Sequence, residues 1–520
     1  MLLTFEFSHG QNLVWQKSIG GSSEDMGHSI ISLPNGKFVV AGGSFSTDGD
    51  ITNHFGFISD ILLYSIDSSG TLEWLKSLGG SRDEVAMKVI PTFDNGLLIV
   101  GQTSSYDFQV VPGIHGGQWN FFNDVWVVKT NSIGNIEWQK CFGGTGDDLG
   151  YDVTQLADSG FLVIGETESG DGDILSWHGS SDIFLIRTDK SGNKLWAKTY
   201  GGSSTDIGKV CLSTSDGGFL IGGGVVSNDY DVSGNHNANT SDIWLAKLDS
   251  LGNILWSKCF GGTGPDDISN ILIGASNGFY ICGTGASNDG DISGSYGAND
   301  IWVFKIDSIG NLLWQQCYGG SYNDITYDAI RTIDSGICII ARTTSTDGLI
   351  TNHRPGLPFW NDYLVLKIDS NGSFQWSSCY GGSDDDMGFS IAQSQDGLLV
   401  VVGECPSNDY DVTNNHGTTD SWTIGIRDNL LSNNDFELRN LELVSYFNES
   451  GLQIISKIIT EEKFDLSIYS ILGTKVFKSE IQISQNSISL SFPDLSNGVY
   501  FVVFENEKMN NRMTSKIVKR

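Results

Sequence analysis

The chain has 520 residues, 65 of them glycine and only 8 proline, and its net charge at pH 7 is −32. This composition argues against a disordered chain, and the charge argues against nucleic acid or anionic lipid as partners while favouring cations or basic partners. No run of about 18 apolar residues occurs, so we expect no transmembrane helix.

Residues 1–10, MLLTFEFSHG, come first in chain order. Apolar residues followed by small residues just before Gln11 indicate the end of a signal peptide, so we expect residues 1–10 to be a signal-peptide remnant. The alternative is an additional strand formed by LLTFEF.

Between residues 11 and 428 the sequence repeats seven times. Each repeat has a tryptophan before a Gly-Gly pair, and consecutive tryptophans are 58 to 64 residues apart: Trp15, Trp74, Trp138, Trp196, Trp256, Trp314 and Trp376. The repeat that begins at Trp196 contains four short strand-like segments: LWAKTY, KVCLST, GFLIGGG and DIWLAKLD. Gly, Asp or Asn residues bound each segment, which is typical of strands and tight turns. Seven units of four strands predict an all-β, seven-bladed β-propeller over residues 11–428.

The segment AKLDSLGNILW resembles the aspartate-turn-glycine-tryptophan motif of quinoprotein-like propellers. The whole unit is similar to the propeller repeats of secreted bacterial proteins, which are about 60 residues long. The resemblance implies that the tryptophan strand is outermost and that the Gly-Gly loop leads to the next blade. The last repeat then lacks its fourth strand. We expect NLVWQK, near the N-terminus, to complete that blade and so remove a free sheet edge.

An acidic loop joins the second and third strands of each repeat, as in SNDYDVSGNHNANTSDIW. Five of the seven loops contain an Asp-x-Asp pair followed by hydroxyl and amide groups, a set of hard oxygen ligands that suits calcium. The candidate calcium ligands are Asp48, Asp50, Asp171, Asp173, Asp229, Asp231, Asp289, Asp291, Asp409 and Asp411. The alternative is that these carboxylates accept hydrogen bonds from backbone N–H groups of their own loops.

Each acidic loop also carries a third aspartate that begins the next strand, and six of the seven loops carry a histidine. One histidine per blade cannot form a multi-histidine metal cluster, so we expect a structural role repeated around the ring. An acidic residue also follows the Gly-Gly pair by four positions in every repeat, as Asp25 does. Because the Gly-Gly connection and the acidic loop share one side of a four-stranded blade, we predict an acidic recognition face opposite a face of tight hairpins.

Blades 2 and 6 lack the second aspartate of the acidic loop and insert aromatic residues instead. The candidate ligand contacts are Trp119, Phe121, Phe122, Phe359 and Trp360. Exposed aromatic side chains on a polar face suit stacking on a sugar or contact with a peptide. The alternative is that they pack a longer loop onto its own blade.

Residues 429–435 are predicted to be a linker, and residues 436–520 a small Ig-like β-sandwich, because tryptophan disappears and several short segments alternate. Leu472-Gly473, the LSNGVY segment at 495–500 and the terminal SKIVKR resemble the type-A C-terminal sorting domain of type IX secretion. The Tyr-Pro-Asn-Pro opening of that domain is missing. The resemblance implies export through the periplasm, the type IX machinery as a partner, and a location outside the cell or on the outer-membrane surface.

Four of the eight cysteines occupy one equivalent position of the repeat: Cys141, Cys259, Cys317 and Cys379. Equivalent positions lie on different blades, so we predict buried thiols rather than a disulfide framework. No GxSxG, HExxH, P-loop or GxGxxG motif occurs between a predicted strand and a predicted helix, so we do not expect an enzyme.

The leading functional hypothesis is a secreted or cell-surface binding module, monomeric, that takes a glycan or a protein on its acidic face. One alternative is a glycan-cleaving propeller, which would need paired carboxylates near the mouth of the central channel. A purely structural surface protein is the other.

Overall fold

The computed structural model describes residues 12–111, 114, 115, 121–174, 176–274, 278–354 and 360–427, and seven strands between residues 443 and 519. The chain divides into two compact units, Met1–Arg427 and Asp428–Arg520. The signal-peptide remnant predicted at 1–10 and the linker predicted at 429–435 lie outside the described residues.

The first unit consists of seven antiparallel sheets of four strands each, which are the blades of the propeller. Blade 1 contains β2 (Asp25–Ser32), β3 (Phe38–Ser44), β4 (Asp60–Ile66) and β5 (Leu72–Leu78), and blade 2 contains β6 (Glu84–Pro91), β7 (Leu97–Thr103), β8 (Asp124–Thr130) and β9 (Ile136–Phe142). Blade 3 contains β10 (Asp148–Gln155), β11 (Phe161–Thr167), β12 (Asp182–Thr188) and β13 (Lys194–Tyr200), and blade 4 contains β14 (Asp206–Ser213), β15 (Phe219–Val225), β16 (Asp242–Leu248) and β17 (Ile254–Phe260). Blade 5 contains β18 (Asp266–Ile273), β19 (Phe279–Gly285), β20 (Asp300–Ile306) and β21 (Leu312–Tyr318), and blade 6 contains β22 (Asp324–Arg331), β23 (Ile337–Thr343), β24 (Asp362–Ile368) and β25 (Phe374–Tyr380). Blade 7 contains β26 (Met387–Gln393), β27 (Leu399–Cys405), β28 (Asp420–Arg427) and the N-terminal strand β1 (Asn12–Ile19). The seven-bladed propeller predicted from the repeats is therefore confirmed.

Blade 7 is completed by the N-terminal strand β1, as the sequence predicts. β1 pairs antiparallel with β28, with Trp15 opposite Gly425 and Ile19 opposite Ser421. The Trp15 indole covers Gly425, where a Cβ atom would come within 2.5 Å of the indole nitrogen. Its Nε1 also donates a hydrogen bond of 2.9 Å to the Ser68 carbonyl of blade 1. The chain termini of the propeller are thus joined within one sheet, and no blade is left with an open edge.

The first strand of every blade lines a central channel. The strands β2, β6, β10, β14, β18, β22 and β26 each contact the next one around the ring, and β26 contacts β2. The second and third strands of each blade are almost wholly buried, because neighbouring blades cover both of their faces; β4 and β16, for example, are buried along their whole length. This explains why these segments appear as continuous apolar runs rather than alternating ones.

The recurring glycine of the outer hairpin and the recurring tryptophan contact each other across blades. Gly192 has a φ of 74°, and a Cβ atom there would lie 2.5 Å from the Trp138 ring of the preceding blade. Only glycine tolerates both the left-handed backbone and this close approach. The repeated aspartate-turn-glycine-tryptophan pattern is therefore a blade-to-blade packing device.

The second unit has two antiparallel sheets, as predicted for a small β-sandwich. One sheet contains β29 (Leu443–Asn448), β30 (Gly451–Ser456) and β33 (Ser487–Leu490), and the other contains β31 (Lys463–Ser470), β32 (Lys475–Gln482), β34 (Gly498–Asn506) and β35 (Asn511–Lys519). In the second sheet, Lys478 and Asp465 form an ion pair of 2.7 Å.

All eight cysteines are free thiols, six of them buried and two half-buried. The prediction of buried thiols rather than disulfides is confirmed. None of the described residues forms a helix long and apolar enough to span a membrane.

Candidate functional site

The first aspartate of each acidic loop binds the Gly-Gly connection of its own blade. Its Oδ1 accepts a hydrogen bond of 2.7 to 2.9 Å from the backbone N–H that follows the Gly-Gly pair. The acceptors are Asp48, Asp107, Asp171, Asp229, Asp289, Asp347 and Asp409. Backbone hydrogen bonding of this kind holds the pKa of Asp229 below its usual value. The two loops therefore lie on the same face of the propeller, as predicted.

The second aspartate of the acidic loop binds the first glycine of the same connection. The backbone N–H groups of Asp50, Asp173, Asp231, Asp291 and Asp411 donate to that glycine's carbonyl at 2.8 to 3.2 Å. In blade 2, Gln109 stands in this place, and its side chain accepts a hydrogen bond of 3.2 Å from the Gly79 N–H. The Gln109 amide thus accepts a hydrogen bond from the same backbone N–H that the carboxylate of the second aspartate binds in blades 1, 3, 5 and 7.

The third aspartate of each acidic loop is buried, and the histidine of the same loop lies beside its carboxylate. In blades 2, 4 and 7 the imidazole Nδ1 lies 2.6 Å from the aspartate Oδ2, as for His236 and Asp242. In blade 5, where Tyr296 replaces the histidine, the Ser295 hydroxyl donates to Asp300 at 2.8 Å. The structural role predicted for the six loop histidines is therefore confirmed where these bonds form.

Each third aspartate also faces a second buried acid at the start of the next inner strand. Asp420 and Asp25 form such a pair, and a Cβ atom at Gly20 would lie 2.5 Å from an oxygen of each. Only the Cα hydrogens of glycine fit between the two carboxylates, which accounts for the first residue of the Gly-Gly pair. Burial raises the pKa of Asp60 to about 7 and that of Asp362 to about 8.

These pairs change the interpretation of the acidic face. The sequence predicts that both sets of acidic residues crowd this face, but fourteen of their carboxyl groups are buried between blades: Asp60, Asp124, Asp182, Asp242, Asp300, Asp362, Asp420, Asp25, Glu84, Asp148, Asp206, Asp266, Asp324 and Asp386. The physical reason is that each of the latter seven accepts hydrogen bonds from the Gly-Gly loop N–H, as Asp25 does from Gly21 at 2.7 Å. Within the described part of the chain, no three His, Cys, Asp or Glu side chains are grouped to hold a metal ion.

The aromatic candidates of blades 2 and 6 lie in different environments. Phe121 is 73% exposed and packs under the Arg82 guanidinium, 4.3 Å from the ring centre. Phe122 is half exposed and Trp360 is half-buried. Trp119 and Phe359 lie outside the described residues.

The blades differ most inside the channel. Every inner strand has a β-bulge at the same place, between its third and fifth residues in blades 1 to 6 and one position earlier in the shorter β26. The bulged residues are His28, Met87, Tyr151, Lys209, Ser269, Tyr327 and Phe389, and all seven line the channel. Bulges re-aim side chains and are frequent beside binding sites. A scaffold with seven similar blades thus presents seven side chains of six different types at one level.

The residue after each bulge forms a second ring, which mainly joins neighbouring blades. The Ser29 hydroxyl accepts the Val89 N–H at 3.2 Å, Asp152 accepts the Cys211 N–H at 3.0 Å, and Ser390 accepts the Ile30 N–H at 3.2 Å. Asp328 accepts the Ser390 hydroxyl at 2.8 Å.

Two residues of this second ring, Val210 and Lys88, have no side-chain acceptor to offer the next blade. Of these two, only Lys88 carries a charge. Its Nζ lies 4.0 Å from Asp152 Oδ1. Burial alone would lower the pKa of Lys88, but the nearby carboxylates of Asp328 and Asp152 outweigh that effect and raise it. The side chain is therefore an ammonium ion, directed into the channel.

These rings enclose a cavity of about 630 Å³ that reaches the acidic face beside Pro265 and Asn299. Aromatic rings form one side of it, with Tyr327 and Phe389 packed edge to face at 5.0 Å between centres. The Lys88 ammonium can donate hydrogen bonds to a ligand, and the aromatic rings can stack against one.

Carboxyl groups surround the channel mouth on the acidic face. Tyr151 donates a hydrogen bond of 2.6 Å to Glu166, and Lys209 pairs with Asp267 at 2.7 Å. Burial raises the pKa of Glu404 to about 7, and the charges of Asp385 and Glu24 act in the same direction.

Sequence reasoning missed the channel residues, although the aligned repeats contain the signal. The start of each inner strand reads DMGHS, EVAMK, DLGYD, DIGKV, DDISN, DITYD or DDMGFS, where a fixed acid precedes variable residues. Positions that vary within an otherwise constant repeat are those at which the blades present different side chains.

The fold and the cavity define a seven-bladed propeller with a ligand-sized channel, followed by a β-sandwich. Residues 449–520 match the family of secretion system C-terminal sorting domains. Proteins with this domain are exported by type IX secretion to the cell surface or beyond, so this protein follows that route and engages the type IX machinery.

Comparison with other proteins gives more distant similarities. The chain is 25% identical over 192 residues to the regulatory protein FlaEY of Caulobacter vibrioides, which covers 34% of this chain and 20% of that protein. The chain thus spans about a fifth of that curated relative.

Comparison with solved structures gives alignments of low similarity. A polysaccharide lyase of family PL25, an ulvan lyase, aligns over 82% of this chain and 99% of its own with 10% identity and a TM-score of 0.45. A fungal alcohol oxidase of the AA5 family aligns over 98% of this chain and 99% of its own with 10% identity and a TM-score of 0.40. Similarity at this level does not extend to activity.

Proposed function

We propose that the protein is a secreted or cell-surface binding module whose glycan or protein ligand inserts a polar group into the central cavity from the acidic face. The observation that carries this proposal is the ring of seven bulged side chains, of six different types, within a nearly seven-fold scaffold. A purely structural propeller has no need of such differences. The size of the cavity, about 630 Å³, suits a group of one or two sugar rings or a peptide side chain.

Lys88 is the residue on which this proposal depends most. The carboxylates of Asp328 and Asp152 offset the burial of its charge in the channel, but Asp152 Oδ1, at 4.0 Å, is too far away to accept a hydrogen bond from the ammonium. A ligand oxygen that accepts a hydrogen bond from the ammonium would complete its coordination. The first aspartates of the acidic loops accept hydrogen bonds from the Gly-Gly connections, as Asp229 does from Ser203, so these loops are held in place around the entrance to the cavity.

The test is a glycan-array screen of the full chain, followed by binding measurements on the glycans that are retained. Lys88→Met is expected to weaken binding at least about tenfold, since a charged hydrogen bond contributes about 1.5–3 kcal/mol. Lys37→Met is the matched control, because Lys37 lies in a hairpin on the opposite face. Tyr327→Ala tests the aromatic side of the cavity. Binding that is unchanged in both cavity variants would rule out the cavity as the site.

Calcium binding by the Asp-x-Asp loops is a separate proposal, supported by the first aspartates Asp48, Asp229 and Asp289, whose pKa values backbone hydrogen bonds lower. Calcium titration of the chelator-treated protein is expected to raise its melting temperature and to show up to five sites, one for each complete Asp-x-Asp loop. The double variant Asp229→Asn/Asp231→Asn should lose one site. A melting temperature that does not respond to calcium or to chelator contradicts this proposal.

Glycan cleavage is a second candidate function, favoured by one observation. Glu404 has a pKa of about 7 and lies close to the carboxylates of Asp385 and Glu24, so a proton donor and a carboxylate stand together at the channel mouth. Release of reducing ends from glycans retained on the array would establish cleavage. Loss of that release in Glu404→Gln, with binding retained, would place Glu404 in the reaction.

A further inference from the structure

Three of the seven acidic loops place an aromatic residue where the others have glycine. The position lies between the first and second aspartates, and it is occupied by Gly49, Phe108, Gly172, Tyr230, Gly290, Gly348 and Tyr410 in chain order, with Gly348 followed by a leucine in place of the second aspartate. All seven residues have left-handed backbones. φ is 65° or 66° at the four glycines and 51° or 52° at Phe108, Tyr230 and Tyr410.

This position is unfavourable for any side chain. A left-handed conformation costs a residue with a Cβ atom about 1–2 kcal/mol. The Gly-Gly connection also crowds it: at Gly348 a Cβ atom would lie 2.5 Å from the Gly319 carbonyl oxygen and 2.9 Å from the Gly320 Cα. The lower φ at the three aromatic residues shows how the turn adjusts to admit a Cβ atom.

Burial does not compensate for this cost. Phe108 is 64% exposed, Tyr230 is 72% exposed and Tyr410 is 59% exposed. Each ring has limited support from the preceding blade: Phe108 lies 6.0 Å from Phe55, and Tyr230 lies 4.9 Å from His178, between ring centres. These contacts orient the rings and leave much of their surface in solvent. Backbone strain without a packing gain is a feature of functional positions.

We infer that Phe108, Tyr230 and Tyr410 are stacking platforms for the sugar rings of a neutral polysaccharide on the acidic face. This inference rests on the proposed binding function but uses residues outside the cavity. The apolar face of a sugar ring stacks on an aromatic ring, and three platforms in blades 2, 4 and 7 suit an extended polymer.

Charge determines the class of polysaccharide. The net charge of −32 and the aspartates beside the platforms, of which Asp229 and Asp409 are exposed and Asp107 is half-buried, repel uronates and sulfated glycans. The carboxylates beside Tyr230 already accept backbone hydrogen bonds, such as that from Ser203 to Asp229 at 2.8 Å. They can accept further hydrogen bonds from sugar hydroxyls, but they are poorly placed to act as free counter-ions for a basic peptide.

The test uses affinity electrophoresis of the full chain in gels that contain laminarin, xylan or galactomannan, with alginate as the anionic comparison. Wild type should be retarded by at least one neutral polysaccharide and not by alginate. Replacing an aromatic residue with the glycine of its sister blades should weaken retardation about threefold to tenfold for each platform. Because glycine relieves the strained turn, Phe108→Gly, Tyr230→Gly and Tyr410→Gly should melt at or above the wild-type temperature.

Phe93→Ala is the matched control, because Phe93 is 65% exposed on a hairpin of the opposite face. It should change neither retardation nor melting. Lys88→Met distinguishes the cavity from the platforms. If Lys88→Met abolishes retardation and the triple glycine variant does not, the platform inference is wrong and the cavity proposal stands.

Three other results would also overturn the inference. The first is a fall of several degrees in the melting temperature of the glycine variants, which would make the rings structural staples. The second is a wild-type chain that no neutral polysaccharide retards. The third is retardation by oligolysine alone that disappears at high salt, which would indicate a basic polypeptide as the ligand.

Discussion

Replacing Gly20 with alanine should destabilise the propeller strongly, although it adds one methyl group. The new Cβ atom would lie 2.5 Å from Asp25 Oδ2 and 2.5 Å from Asp420 Oδ1, both fully buried. No positive φ is involved, so the effect is steric and electrostatic. The two carboxylates cannot separate freely, because Asp25 is held by the Gly21 N–H at 2.7 Å and the Ser46 hydroxyl at 2.7 Å.

The expected loss combines two effects. Overpacking of a rigid site costs about 1–3 kcal/mol, and a buried hydrogen bond lost from Asp25 costs about 1–3 kcal/mol more. A total of about 4 kcal/mol, spread over the unfolding entropy of some 400 residues, corresponds to a melting temperature lower by roughly 5 °C. Differential scanning calorimetry at fixed pH measures it.

Gly43→Ala is the matched control, because the nearest atom to a Cβ there is Val85 Cγ2 at 3.6 Å, an ordinary contact. It should melt within about 1 °C of wild type, as surface-like substitutions do. If Gly20→Ala has the same melting temperature as Gly43→Ala, the carboxyl pair does not require glycine at the first position of the Gly-Gly pair.

Other expectations concern pH, closure and the thiols. Burial raises the pKa of Asp60 and Asp362 to about 7 and about 8, so the folded protein keeps protons that the unfolded chain has lost. Stability from these groups is full below the unfolded pKa of about 4 and is lost at about 1.4 kcal/mol per proton and pH unit as the pH rises towards the folded values, so the melting temperature should fall between about pH 4 and about pH 8 and level off above that; an unchanged melting temperature contradicts the buried pairs. Trp15→Ala should make β28 sensitive to limited proteolysis, whereas Val14→Ala, at a side chain 51% exposed, should not; equal sensitivity would refute the closing role of Trp15. The six buried thiols should react with Ellman's reagent only after denaturation, and rapid reaction of more than two thiols in the native protein would show that the blades open.

The sequence predicted the architecture well, because the repeat exposes it. Tryptophan, Gly-Gly and hairpin glycine positions recur in every unit, and their spacing determines strand count, blade count and the closing role of β1. The predicted acidic face was only half right. Carboxylates such as Asp25 and Asp48 belong to similar acidic segments, yet one is fully buried and the other exposed.

The channel could not be predicted in the same way. The bulge that directs Lys88 and Tyr327 inward is a three-dimensional irregularity of register with no marker residue of its own. The cavity depends on which seven side chains converge, and convergence depends on closure of the ring. The strain at Tyr230 likewise becomes visible only through its backbone angle.

The closure of blade 7 also fixes the order in which the protein can become complete. A hydrogen bond of 2.8 Å joins the Trp422 indole to Gln16, 406 residues earlier in the chain. Until translation passes that tryptophan, the N-terminal strand has no partner, and the growing ring ends in an unpaired strand prone to adding foreign ones. Every nascent chain therefore passes through an interval in which its unpaired strand has to be protected from pairing with other chains. Any product truncated before β28 is an open ring rather than a shorter propeller.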